Sequence, residues 1–256
     1  MRNLFKRLGG KSRTCKQIVS MFPTQMGVYV EPFVGGGSVF FASGKPYAPT
    51  EIIADADGDI TSMYTDIQAI SNETFRAFGF TPSSCRFSQL RSQTNCRDIN
   101  LEERLFRNLY LSLYSYGGNR VDYCGDKSCN KVGDYRTLKA NHEKYKDRLK
   151  GVTVLTDDCL NVITKYDSKH AFFYCDPPYN KDGRKNYKKT IDVNELFLVL
   201  SSIQGKFMVS FLHDEFVDEI CARYGFFCRP IPSTYSGKTR SIDIVECVIT
   251  NYDTTS

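Results

Sequence analysis

The sequence predicts an α/β fold: an open, doubly wound, mainly parallel sheet interrupted by a mainly helical insert. Three observations carry this. Residues 28–70 run strand, glycine-rich turn, helix, strand, aspartate, helix, which is how a nucleotide-binding sheet begins. Ala171-Phe172-Phe173-Tyr174-Cys175 is apolar throughout, as a strand covered on both faces must be. Between them, residues 71–150 lose the strand pattern and read as polar stretches around one strong helix near 101–114. The expected division is 1–70 with 151–256 for the sheet domain and 71–150 for the insert.

Each element follows from local pattern. Cys15, Ile18, Val19 and Phe22 share one helical face, so 12–22 reads as a short helix capped by Ser12. Val28–Phe33 reads as the first strand, Val34–Gly37 as a turn, and Ser38–Phe41 as the start of a helix whose free N–H groups could face a ligand. Glu51–Asp55 is the second strand, and Ile60, Met63, Tyr64, Ile67 and Ile70 mark the helix after it. Within the insert, Gly117–Gly133 reads as an exposed loop or hairpin. Val152–Leu155 and Ala171–Cys175 are further strands. A helix from Asp192 turns Leu196, Val199, Leu200 and Ile203 inward. Phe207–Phe211 is a strand, Asp214–Tyr224 a helix, and Phe226–Ile231 with Ile244–Ile249 a closing pair of strands.

Composition narrows the function classes. With 256 residues, 41% hydrophobic and 25% charged, the chain can bury a core unaided and is neither disordered nor fibrous. It holds no run of about 18 apolar residues, and no apolar stretch follows its basic N-terminus. A soluble, intracellular protein without membrane contact is expected. The ten cysteines are accordingly expected as reduced thiols. Cys85, Cys96, Cys124 and Cys129 are poorly spaced for zinc, and His142, His170 and His213 share no spacing, so no metal is expected. Charge is mildly basic, 34 Lys/Arg against 29 Asp/Glu, but uneven. Residues 101–150 hold 11 cations against 7 anions, and residues 180–190 hold 5 against 1. Such zones suit a polyanion held at chosen places as well as they suit solvated faces.

Three motifs carry chemistry. Phe33-Val-Gly35-Gly36-Gly37 lets a backbone approach a ligand, but Phe40 stands where the dinucleotide pattern needs its third glycine. A pyrophosphate is therefore disfavoured, and a ligand-free turn remains open. Asp55 at the second strand's tip suits two ribose hydroxyls, and it equally suits capping the helix that starts near Gly58. Asp176-Pro177-Pro178-Tyr179 follows the buried strand where open sheets place ligands. Paired prolines donate no hydrogen bond and hold an extended corner. Their carbonyls can act as fixed acceptors beside a carboxylate and a flat ring. An exocyclic aromatic amine needs such a corner. Two acceptors on its hydrogens favour a pyramidal nitrogen with a free lone pair, and the carboxylate stabilises the positive charge that grows on alkylation. The ring can stack on an extruded base.

Taken together, these residues resemble the Dam-type DNA adenine-N6 methyltransferases of bacteria and phages. The resemblance rests on Val30–Phe41, Ile53-Ala-Asp55, Asp176–Tyr179 and Gly9-Gly10-Lys11, and extends to the closing strands. It implies a seven-stranded, Rossmann-like class I methyltransferase sheet with a DNA-recognition insert. It implies S-adenosylmethionine as methyl donor, contacted by Arg7, Gly9, Lys11, Phe33, Gly35, Gly36, Asp55, Asp158, Cys159 and Asp176. Asp176, Pro177, Pro178 and Tyr179 would be catalytic, acting on an adenine flipped from double-stranded DNA. Asn119 and Arg120 would read bases, and Lys181, Arg184 and Lys185 would grip phosphates. Related pockets methylate amines in RNA or a protein glutamine side chain, and a non-catalytic nucleic-acid-binding module is a further alternative. A monomer in solution is expected, with pairing on DNA and an accompanying restriction enzyme left open. Three departures stand out. The family's aromatic at position 7 is Arg7, its Ser-Asn after the fifth strand is Ser210-Phe211, and its Pro-Phe-Gly after Arg120 is missing, so the recognised sequence need not be GATC. Phe211 is expected in the core.

Overall fold

The computed structural model describes residues 1–7, 9–94, 99–125, 132–178, 191–231 and 246–254, with side chains at 132–134 excepted. Seven strands form one sheet: β1 Val28–Glu31, β2 Thr50–Asp55, β3 Thr153–Thr156, β4 Ala171–Cys175, β5 Lys206–Leu212, β6 Phe227–Ile231 and β7 Glu246–Thr250. Their order is β3-β2-β1-β4-β5-β7-β6. β7 runs antiparallel to both its neighbours, and the remaining pairings are parallel. This is the expected seven-stranded sheet. Its strand order reverses at β1, which pairs Val30 with Ile52 on one side and Phe173 on the other. Ligands of open sheets sit at that reversal, beyond the strands' carboxyl ends.

Alternation along the strands builds two apolar layers. Tyr29, Ile53, Phe172, Tyr174 and Met208 enter one buried cluster. Val30, Ile52, Phe173, Cys175 and Val209 enter the other. On the first face lie α1 Cys15–Val19, α2 Gly58–Ala69, α3 Asn72–Ala77, α5 Leu101–Leu113, α6 Val132–Ala140 and α7 His142–Leu149. The second face is covered by α8 Cys159–Tyr166, α9 Val193–Ser202 and α10 Glu215–Tyr224. α4 Ser84–Ser92 packs with α5 in a third cluster of Phe87, Tyr110, Leu111 and Tyr114. Helices α5 and α7 are tied to the sheet by polar bonds as well as apolar contact. Arg104 grips Asp66 of α2 with bonds of 2.8 and 2.6 Å. Arg148 grips Glu51 of β2 with bonds of 2.5 and 2.9 Å.

Four expectations are corrected. The first helix spans only Cys15–Val19 with Thr14, not Ser12, at its cap position. The bonds Met21 N–H to Ile18 and Phe22 N–H to Val19 tighten the next turn, and Pro23 ends it. Ser38–Phe41 forms turns rather than a helix. Phe41 N–H reaches the Gly37 carbonyl at 3.0 Å, but the following bonds, Ala42 to Val39 and Gly44 to Phe41, are of the shorter i−3 type. The Ser43–Pro46 stretch then gives no room to propagate. Asp57, not Asp55, caps α2, its carboxylate accepting from Asp59 N–H at 3.1 Å. Finally, Cys124 is disulfide-bonded, so the thiols are not all reduced, while Cys15, Cys85, Cys159, Cys175, Cys221, Cys228 and Cys247 are free. Among the described residues no cluster suits a metal, and no helix is long and apolar enough to cross a membrane. Ile244 lies outside the described residues.

Candidate active site

The carboxyl ends of β1, β2 and β4 open onto one cleft of about 360 Å³. A cleft of this size accommodates a nucleoside-sized ligand. Residues 31–36 leave β1, 55–58 leave β2, 158–159 follow β3 and 176–178 leave β4, and Arg7, Gly9, Gly10 and Lys11 line the cleft from the N-terminal segment. All ten residues expected at the donor line this one cleft, as do Pro177 and Pro178. Tyr179, Lys181, Arg184 and Lys185 lie outside the described residues.

The glycine turn is fixed by the protein itself. A Cβ on Gly36 would stand 2.5 Å from the Phe5 carbonyl oxygen, so only glycine lets residues 3–7 lie on the turn. Leu4 N–H donates to the Gly36 carbonyl at 2.9 Å, and Tyr64 Oη to the Gly35 carbonyl at 2.8 Å. Arg7 lies over Gly35, its Cδ 3.4 Å from where a Cβ would stand. Asp55 accepts from Gly35 N–H at 3.1 Å and Asp57 N–H at 2.9 Å. Burial pushes its carboxyl above the usual range, and the charge of Arg7 and these two N–H bonds oppose that shift.

At the far end, Lys11 Nζ donates to Asp176 Oδ1 at 2.7 Å and to the Gly9 carbonyl at 3.2 Å. Burial raises the Asp176 pKa, and Lys11 pulls it back by charge and by hydrogen bond. One oxygen of the carboxyl is committed to Lys11. Among the described residues, its second oxygen has no recorded partner. Cys159 follows Asp158, which caps α8 by accepting from Leu160 N–H at 2.9 Å. Burial pushes the Cys159 thiol up to about 12, so it is a neutral wall and not a nucleophile.

Several lining groups escaped the sequence reading. Glu31 is buried, receives the Tyr29 hydroxyl at 2.6 Å, and has its pKa raised to about 8, chiefly by burial. Its position in the first strand before Pro32 was visible, but nothing in the sequence marked it as buried. Asp57 and Tyr174 also line the cleft, and Tyr174 Oη pairs with Ser210 Oγ at 2.6 Å. Phe211 is buried in the second apolar layer, as expected.

Asn119 and Arg120 do not line the cleft, and neither projects freely. Asn119 closes its own turn, accepting from Val121 and Asp122 N–H at 2.9 and 3.1 Å and donating to Asp122 at 2.8 Å. The Arg120 side chain, 10% exposed, donates to Asp57 and lies 3.4 Å from Asp59. Arg120, expected to read bases, is held at two carboxylates at the start of α2 in this structure. Exposed instead on this loop are Tyr116 and Val121.

A family model described as D12 class N6 adenine-specific DNA methyltransferase matches residues 8–227. The Type II methyltransferase M.CviBI of Paramecium bursaria Chlorella virus NC1A is 24% identical over 189 residues, covering 70% of this chain and 70% of that protein. The Type II methyltransferase M.MjaIII of Methanocaldococcus jannaschii is 26% identical over 197 residues, covering 68% of each. The DNA adenine methylase of Salmonella typhi is 29% identical over 160 residues, covering 59% of this chain and 55% of that protein.

Proposed function

The chain belongs to the D12 class of N6 adenine-specific DNA methyltransferases, and on that premise we propose that its cleft holds S-adenosylmethionine beside an adenine taken out of double-stranded DNA. One observation carries the reading. The Asp176-Pro177-Pro178 corner and the Phe33–Gly36 turn with Asp55 open into a single cleft, so an amine acceptor and a nucleoside cradle share one space.

The residues fit the donor chemically. Asp55 keeps acceptor capacity for ribose hydroxyls beyond its two N–H bonds. The walls carry Asp55, Asp57, Asp158 and Asp176 against Arg7 and Lys11, an acidic excess that suits a ligand bearing a sulfonium. When bound, that ligand supplies an electrophilic methyl group. The chain's own contribution is to bind, orient and bear charge. The Asp176 carboxylate accepts from the adenine N6–H and stabilises the positive charge that develops on that nitrogen. The Pro177 carbonyl serves as the second acceptor, and Tyr179 stacks on the base. The proton leaves N6 to water after transfer, and no covalent enzyme intermediate forms. Residues 71–150 act as the recognition insert, with Lys181, Arg184 and Lys185 on phosphates.

The test is methyl transfer to DNA from labelled S-adenosylmethionine, with N6-methyladenine identified in the digested product. Asp176→Ala should abolish the product while the protein remains folded by circular dichroism. Retained turnover in that variant would refute the assignment of Asp176.

A further inference from the structure

Residues 115–120 touch both walls of the cleft from outside. On one side, Gly118 (φ 77) rests on the N-terminal segment: a Cβ there would stand 2.1 Å from the Lys6 carbonyl oxygen and 3.1 Å from the Arg7 nitrogen. Ser112 Oγ donates to that same Lys6 carbonyl at 2.7 Å. On the other side, Arg120 reaches the start of α2, donating to Asp57 Oδ2 and placing Nη1 3.4 Å from Asp59 Oδ2. Asp57 caps α2 and gives its own N–H to Asp55 Oδ1 at 2.9 Å. A continuous line of bonds thus runs from Arg120 through Asp57 to the carboxylate inside the cleft. Arg107 and Asn108 of α5 brace the adjoining Asp59, by an ion pair at 3.3 Å and a bond to its carbonyl at 3.3 Å.

The backbone is bent to make this contact. Among the described residues, Arg120 is the one non-glycine residue with left-handed φ, at 62°, a conformation that L side chains avoid. Its N–H is held by Ser115 Oγ at 2.8 Å. The Asp57 and Asp59 side chains are only 9% and 14% exposed, so without a cation between them they repel at low dielectric. Arg120 is therefore committed charge, and its commitment ends on the cleft.

We propose that Arg120 is a positioning residue for the methyl donor. Acting through Asp57, it fixes the Asp55 wall of the cleft and ties the state of the 115–120 loop to donor affinity. This rests on reading the cleft as the S-adenosylmethionine site.

The test titrates S-adenosylmethionine alone into the full chain by calorimetry, without DNA, for Arg120→Ala, Arg120→Lys, Asp57→Asn and the Arg120→Ala/Asp57→Asn pair. Asparagine caps helices as well as aspartate does, so Asp57→Asn removes the ion pair and leaves the cap. Kd should rise at least fivefold in Arg120→Ala and in Asp57→Asn. The double variant should be no worse than Arg120→Ala, and Arg120→Lys should recover part of the loss. In turnover, KM for the donor should rise in parallel while kcat at saturating donor stays within twofold. An unchanged donor Kd, with loss confined to DNA affinity or to discrimination among target sequences, would overturn the proposal and make Arg120 a base reader. Additive losses in the double variant would also overturn it. If Arg120→Ala does not fold, Asp57→Asn decides alone. If the unaltered protein binds no S-adenosylmethionine, the donor reading itself has failed and takes this one with it.

Discussion

Replacing Lys11 by methionine isolates the charge that favours the ionised form of Asp176. Lys11 Nζ stands 2.7 Å from Asp176 Oδ1, and the two side chains are 3% and 20% exposed. Burial already raises the Asp176 pKa, and Lys11 is the group that opposes it. Removing one partner of a fully buried pair costs about 3–5 kcal/mol. Residual solvent at Asp176 screens part of this. The sign is fixed: without the cation the neutral acid is favoured, so ionisation moves to higher pH. A methylation rate that needs the carboxylate should therefore keep its form in Lys11→Met while its acid limb shifts to higher pH. The assay is initial rate against pH at saturating donor and DNA, so that weakened donor binding does not enter. Lys11→Arg should restore most of the original limb. An acid limb that stays within a few tenths of a unit in Lys11→Met would refute the link between Lys11 and the protonation of Asp176.

Two further outcomes concern stability. Glu31 titrates near 8 in the folded chain against 4.5 as its ordinary value; between those values the native state binds the extra proton, so stability falls as pH rises from about 4.5 to about 8 and then levels. Melting temperatures between pH 5 and pH 9 should show that slope flattened in Glu31→Gln, and an identical slope in both proteins would place Glu31 in a wetter site. Arg148→Met strands Glu51, which is 4% exposed and loses both guanidinium bonds. Urea unfolding should show a loss of about 3–5 kcal/mol, recovered in good part by adding Glu51→Gln; a loss below about 1 kcal/mol would show that the pair is not needed.

Much of the site was legible because backbone chemistry announces itself. Gly35-Gly36, Asp55 and Asp176-Pro177-Pro178 each follow a strand with an unmistakable apolar pattern, and strands fix where their ends lie. Tertiary facts left no local trace. Ser38–Phe41 has helix-compatible residues, yet the segment 43–46 and the packing of Phe40 and Phe41 into the core hold it as turns. Asp55 and Asp57 are both plausible caps by residue type, and only the N–H geometry separates them. Glu31 reads as a polar strand end and is instead a buried acid.

Charge shows the same limit most sharply, because counting it along the chain says nothing of where it is spent. The 101–150 segment carries 11 cations, which invites a polyanion. Yet Arg104, Arg107, Arg120 and Arg148 are bonded to Asp66, Asp59, Asp57 and Glu51. Lys139 is held at the carbonyls of Arg76 and Phe78, and Lys146 at that of Ile70. The four arginines fasten to α2, its cap and β2, and the two lysines to backbone carbonyls beside α2 and α3. An intramolecular pair must be broken before its cation can serve a phosphate or a base, so exposed charge and not total charge sets the attraction for DNA. Salt dependence of DNA binding should accordingly report fewer phosphate contacts than the segment has cations. Substituting Arg104 or Arg148 should lower stability without lowering that slope.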